Sequence, residues 1–188
     1  MKKPLVYNLP PNPRYNNAPA ISWSDLLAIE NNVEKWFKGQ RMQTNESMSY
    51  GTSVHAQIRH GKLKNIPHGN HPEAVYIFGQ IVGRVDDHDD DTLYEYKTGM
   101  KLWSAKKASE HGQLFTYAYL IGKNTGTYPK KALLVSLETK TDEDSGIVLT
   151  GDKRILEVPI TTKDILKIQV RFNKAFEKVQ KYQASVSK

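Results

Sequence analysis

Gly83-Arg84-Val85-Asp86, then an acidic run, then Leu93-Tyr94-Glu95-Tyr96-Lys97-Thr98-Gly99 is the stretch whose reading decides the fold. Leu93, Tyr94 and Tyr96 stand among polar residues in the manner of a strand, and the stretch reads as two short β-strands joined by a tight acidic loop, a hairpin. Side chains two apart in a strand point the same way, so Glu95 and Lys97 leave one face together. A paired strand ending at Asp86 brings a second carboxylate beside them. Carboxylates packed this closely repel and partly protonate unless a cation lies between them, so a hard divalent ion with oxygen ligands stabilises the cluster most easily. Mg²⁺ or Mn²⁺ is the expected ion.

The G-x-x-D element at Gly83–Asp86 and the E-x-K element at Glu95–Lys97 together resemble the core of the PD-(D/E)XK nuclease superfamily. Upstream, Gly51-Thr52-Ser53-Val54-His55 resembles the G-x-x-x-H segment of RecB-like nucleases and of the related nucleases that accompany CRISPR adaptation. Downstream, Gln113-Leu114-Phe115-Thr116-Tyr117 resembles their Q-x-x-x-Y motif on the helix after the catalytic strands. Each piece recurs by chance, whereas four in order make a specific match. The resemblance runs from about Ile21 to about Leu137 and leaves the C-terminal third outside.

What the resemblance implies is a restriction-endonuclease-like α/β core and metal-dependent cleavage of DNA, often from an end. It implies that Asp86, Glu95, His55 and the backbone carbonyl of Tyr96 hold the ion or ions. Lys97 then orients the attacking water or offsets developing charge. Gln113 would hold a phosphate or a catalytic side chain, and Tyr117 would hydrogen-bond or stack near the scissile strand. Three other readings stay open: a structure-specific or restriction-like endonuclease, a non-catalytic nucleic-acid-binding subunit of a larger complex, and a nuclease subunit that needs a helicase or recombinase partner. Read from residues alone, a helical histidine such as His55 is more often an exposed or hydrogen-bonded side chain than a metal ligand, and Tyr117 is as readily a half-buried packing residue.

Composition sets the outer limits. The 188 residues are enough for one domain with a real core, read here as 21–188, preceded by a proline-rich arm at 1–20. With 38% hydrophobic residues and no long apolar run, the chain reads as a cytoplasmic protein with neither membrane span nor secretion signal. Having no cysteine, it has no disulfide and no ligands for the iron–sulfur cluster that some relatives carry. No G-x-x-x-x-G-K-[ST] loop occurs, so no nucleotide cofactor is expected. A net charge of +7 suits a DNA partner, either single strands or duplex ends. Arg84, Lys101, Lys106 and Lys107 lie beside the expected site as candidates for phosphate contact.

Around this centre the periodicity predicts a helix from Ser22 to Gly39, a loop at 40–49, a second helix over Tyr50–Leu63 and strands from Glu73. Whether Ala74–Val85 is one bent strand or a hairpin is open, and Gly83 marks a close approach of backbone or substrate. A helix over Trp103–Gly122 follows, then strands at Lys131–Leu137, Ile147–Leu149 and Ile155–Val158 with polar turns between them. The last helix starts at Thr161–Asp164, with Ile165, Ile168, Phe172, Phe176 and Val179 inward and a solvated lysine-rich outer face. Histidines 60, 68, 71 and 111 read as surface residues.

Overall fold

The computed structural model describes residues 7–39 and 46–186. The elements are α1 (Trp23–Phe37), α2 (Glu46–Arg59), β1 (Val75–Phe78), β2 (Ile81–Arg84), β3 (Asp87–His88), β4 (Thr92–Gly99), α3 (Ala105–Ser109), α4 (Gly112–Thr125), β5 (Lys131–Asp142), β6 (Gly146–Pro159) and α5 (Thr162–Val186). Strands β3, β4, β5 and β6 lie in that order in one mixed sheet; β4 and β5 are parallel and the outer pairs antiparallel. A parallel pair needs a crossover, and α3 and α4 supply it. This is the α/β architecture with a mixed central sheet flanked by helices that the sequence implied. No helix among the described residues is long and apolar enough to cross a membrane.

The two faces of the sheet are covered differently. Leu93, Ala132 and Leu134 join the large core with residues of α1, α4 and α5, among them Leu26, Leu120 and Phe172. Tyr94, Tyr96, Val135 and Leu137 point the other way and pack against Val54 and Ile58 of α2. Each large apolar side chain so buried is worth about 1.5–3 kcal/mol. Alternation along β4 therefore sends Glu95 and Lys97 to the α4 side, while the backbone at Tyr96 is approached by α2.

Local chemistry explains the elements. Ser22 and Asp25 form a reciprocal capping box that starts α1. Asp25 also accepts from the Asn12 amide at 2.9 Å and the Trp36 indole at 3.0 Å. The described part of the proline-rich arm, irregular apart from a 3-10 turn at Pro13–Tyr15, is thereby tied to α1, and the Tyr7 ring stacks on Phe176 of α5 at 4.8 Å. Residues 1–6 of that arm, and residues 187 and 188, lie outside the described residues.

Several expectations are corrected. The chain from Val75 to Arg84 is a hairpin of its own, turned at Gly79–Gln80 with Gly79 at φ +58°, and is not the partner of β4. The partner is β3, with Asp87 opposite Tyr94 and His88 opposite Leu93. Helix α2 begins at Glu46, so 46–49 is helix and not loop; 40–45 lie outside the described residues. The helix expected over Trp103–Gly122 is two helices with a break at Glu110–His111, and the second ends at Thr125 with Gly126 as its C-cap, not at Gly122. Gly122 is inside α4 because the Tyr128 ring lies where its Cβ would be, 2.2 Å from the nearest ring atom. The two strands expected after residue 146 are one long strand, β6, whose polar middle is a bulge of Thr150–Asp152 opposite Glu138, with Gly151 at φ +97°. An exposed edge strand needs no apolar residues there.

Candidate active site

Continuing the β3–β4 register by one residue sets Asp86 across from Glu95. Asp86 leaves the small hairpin and enters the sheet, and its Oδ2 accepts the Tyr96 N–H at 2.9 Å. Glu95, in the middle of β4, is 1% exposed. Its Oε1 accepts from the Lys97 ammonium at 2.5 Å, whereas its Oε2 is the buried side-chain oxygen without a hydrogen-bond partner among the described residues. Burial, and then the Asp86 charge, push the Glu95 carboxyl up to about 7; burial pushes Asp86 up to about 6 against the pull of Lys97. Lys97 stays above the ordinary lysine range: burial opposes its charge, but Glu95 and Asp86 outweigh burial.

His55 reaches this centre from the opposite face, because Val54 and Ile58 seat α2 on the sheet and leave His55 over Tyr96. Its Nε2 lies 3.0 Å from the Tyr96 carbonyl, which can only accept, so Nε2 carries the proton in this arrangement. The Nδ1 lone pair then faces Asp86 Oδ1 at 3.5 Å. Burial lowers the His55 pKa, although the Glu95 charge works against this. Two lone pairs so placed attract a proton or a metal ion. One ligand atom each from His55, Glu73 and Asp86 lies within 4.8 Å of the others, beside a cavity of about 10 Å³ that Tyr96 also lines. That volume suits a single water-sized centre.

Glu73 was not singled out from the sequence. It precedes the hairpin at no motif spacing, and tertiary structure delivers it: its N–H donates to the Asp86 carbonyl at 2.9 Å, and it holds a left-handed backbone at φ +55°. The nearest signal was its place at the onset of the β region.

On the other side, Lys97 donates to Gln113 Oε1 at 3.0 Å, and Gln113 Nε2 donates to the Tyr117 hydroxyl at 2.7 Å. The one-turn spacing of α4 puts both on the face toward β4. Tyr117 is pushed well above the ordinary tyrosine range, by burial first and by Glu95 and Asp86 next, and stays a neutral phenol. Its ring lies on Gly83, where a Cβ would come 2.8 Å from Tyr117 Cε1; the close approach expected at Gly83 is made by this side chain and Leu120. Thus Asp86, Glu95, Lys97, His55, Tyr96, Gln113 and Tyr117 form one connected set.

The flanking cations are more dispersed. Arg84 is exposed, with Nη1 3.9 Å from Glu73 Oε2. Lys101 and Lys106 are exposed, and Lys107 places its ammonium 3.9 Å from the Trp103 ring centre. His111, read as a surface residue, is half-buried and lies 3.1 Å from Gln113 Oε1. The acidic loop is held by hydrogen bonds to its own carboxylates. Asp87 is buried and accepts the N–H groups of Gly69, His71 and His88, and Asp89 accepts those of Asp91 and Thr92 and the Tyr94 hydroxyl. Asp87 thus holds a loop, and Asp91 pairs with Lys130 at the surface.

The donor set is oxygen-rich with one imidazole, it contains a buried carboxylate oxygen lacking a partner among the described residues, and its acids are costly to ionise without a counter-charge. These residues fit a hard divalent ion. The sequence matches the family model of the PD-(D/E)XK nuclease superfamily over residues 22–187, which takes in β6 and α5, beyond the Leu137 limit of the motif resemblance. No curated protein matches the sequence. Among solved structures, the chain is similar to a phage related exonuclease from Haemophilus somnus 129PT, with TM-score 0.64 and 12% identity over 86% of this chain and 83% of that one. It is also similar to the alkaline exonuclease LHK-Exo from Laribacter hongkongensis, with TM-score 0.55 and 13% identity over 89% and 91%. The complex of LHK-Exo with dAMP aligns with TM-score 0.50 and 13% identity over 89% and 93%. At these identities the likeness is one of fold.

Proposed function

Because the chain belongs to the PD-(D/E)XK nuclease superfamily, we propose that it hydrolyses DNA phosphodiester bonds with Mg²⁺ or Mn²⁺, working from DNA ends as an exonuclease. The observation that carries this reading is Glu95, a fully buried carboxylate beside Asp86 whose Oε2 has no hydrogen-bond partner among the described residues. Asp86 and Glu95, with His55, the Tyr96 carbonyl and Glu73, are the residues proposed to hold the ion or ions. When bound, such an ion supplies Lewis acidity at the scissile phosphate and lowers the pKa of a water. Lys97, held between Glu95 and Gln113, keeps a full positive charge where negative charge develops. Its raised pKa favours this electrostatic and orienting role over proton abstraction. Gln113 and Tyr117 hold Lys97 in place from α4, and Arg84, Lys101, Lys106 and Lys107 contact phosphates around the site.

Attack from an end is favoured by the likeness to two exonucleases, and a DNA substrate by the family and by the dAMP bound to one neighbour. The proposed place of action is the cytoplasm, during processing of DNA in repair, recombination or phage replication. Digestion of end-labelled linear single- and double-stranded DNA beside a covalently closed circle tests the reading, with Mg²⁺, Mn²⁺ or chelator. The expected result is metal-dependent loss of the linear substrates alone, with Lys97→Ala and Asp86→Ala each slower by at least about 100-fold. Cutting of the circle replaces the exonuclease by an endonuclease. Binding without cleavage in either metal removes the catalytic reading, unless a helicase or recombinase partner restores turnover.

A further inference from the structure

We infer that His111 is a positioning residue that locks the Gln113 amide, and through it the Lys97 ammonium, in one orientation. This rests on the nuclease reading of the Lys97 site. Gln113 Oε1 receives two donors, Lys97 Nζ at 3.0 Å and His111 Nε2 at 3.1 Å, while Gln113 Nε2 donates to Tyr117 at 2.7 Å. An amide oxygen has two lone pairs, and both are used. A flipped amide would turn its NH₂ toward the Lys97 ammonium, which can only donate, so Lys97 sets the sense of the amide. His111, in the tautomer with its proton on Nε2, fills the second lone pair and restrains the amide torsion that Lys97 alone would leave looser.

The surroundings of His111 are built for this contact. It occupies the N-cap position of α4, where serine, threonine, aspartate or asparagine would normally cap, yet its side chain makes no cap hydrogen bond. The ring is packed edge-on between Trp23, at 6.4 Å, and Trp103, at 4.9 Å. The backbone of Trp103 is itself fixed: its main-chain N–H donates to Ser136 Oγ at 3.0 Å and its main-chain carbonyl accepts from Arg154 at 3.0 Å. Trp23 in turn occupies the space beside Gly112, where a Cβ would come 2.2 Å from the indole. Burial first, then the Lys97 charge, lower the His111 pKa to about 4, so the ring stays neutral at physiological pH. Neutral imidazole with its proton on Nε2 is the form the Gln113 oxygen selects.

The test compares His111→Phe, which keeps a ring between the two tryptophans, with His111→Gln, which keeps a donor, each in the wild-type and Gln113→Ala backgrounds. Initial rates on linear DNA should show His111→Phe losing about five- to tenfold in kcat with KM little changed, the worth of one hydrogen bond. His111→Gln should recover most of that loss. In the Gln113→Ala background His111→Phe should cost nothing further, because the residue it acts through is gone. A loss that simply adds to that of Gln113→Ala, or no loss at all, overturns the proposal. The side-chain amide resonances of Gln113 in the metal-free protein give a second readout, independent of turnover. His111→Phe should speed their exchange with water, His111→Gln should not, and unchanged exchange in His111→Phe overturns the inference even if the protein cleaves no DNA.

Discussion

Asp86 and Glu95 set the response of the site to pH. Both carboxyls are raised in the fold, to about 6 and about 7, so the protonated forms are the ones the metal-free fold favours. Their contribution to stability is therefore complete below the ordinary carboxylate pKa of about 4 and is lost as pH rises through these raised values. A divalent ion needs the ionised forms and reverses the penalty where it is largest. Adding Mn²⁺ should raise the melting temperature more at pH 8 than at pH 5.5, and cleavage should rise with pH across 6 to 7; equal metal shifts at both pH values would refute this. Glu73→Gln should shrink the Mn²⁺ shift at pH 8 while leaving the metal-free melting temperature nearly unchanged, read by the same melting curves. Of these acids, Asp86 and Glu95 were legible from strand period and spacing alone. Glu73 was not, because a backbone hydrogen bond to Asp86 and a left-handed turn place it, and neither leaves a mark on residue spacing. The sequence also could not sort the acidic run, since Asp87 clamping a loop and Asp91 pairing with Lys130 look alike until the chain is folded.

At the scale of elements, the small hairpin and α4 are coupled through Gly83. The strand β2 lies so close to α4 that a methyl group on Gly83 would meet Tyr117 Cε1 at 2.8 Å and Leu120 Cδ1 at 2.9 Å. Leu120 is fully buried and Tyr117 holds Gln113, so neither can move without disturbing core or site. Gly83→Ala should cost about 1–3 kcal/mol in denaturant unfolding, the usual range for overpacking, and should also reduce cleavage. Wild-type stability in this variant would mean that α4 can shift freely. Element types were readable because apolar period separates helix from strand, as in the inward face of α5 and the core strand β5. Boundaries failed where tertiary contacts override local preference. Gly122 looks like a stop signal but serves Tyr128, and the polar Thr150–Asp152 segment looks like a turn but bulges from an exposed edge.

Over the whole molecule, some of the cations behind the net charge of +7 hold the fold itself, and α5 supplies two of them. Arg171 makes two hydrogen bonds to the Glu30 carboxylate, at 2.9 and 2.5 Å. Lys178 donates to the Ile29 and Glu30 carbonyls at 2.7 and 2.9 Å. Those carbonyls need an outside donor because Asn32, at φ −155° and ψ 101°, breaks the helical hydrogen-bond ladder of α1. Lys178 thus caps a kink, and this exposed part of the lysine-rich face also joins α5 to α1. Lys178→Ala should lower stability by about 1–2 kcal/mol, as expected when charge-assisted hydrogen bonds to main-chain carbonyls are lost. It should leave the salt dependence of DNA binding unaltered. Lys106→Ala, beside the proposed site, should do the opposite: unchanged unfolding, weaker DNA binding, and a log–log salt slope smaller by about 0.9 for the one phosphate contact removed. Denaturant curves and salt titrations on labelled duplex separate the two classes. If Lys178→Ala lowered the salt slope without loss of stability, this part of the face would instead belong to the DNA-binding surface.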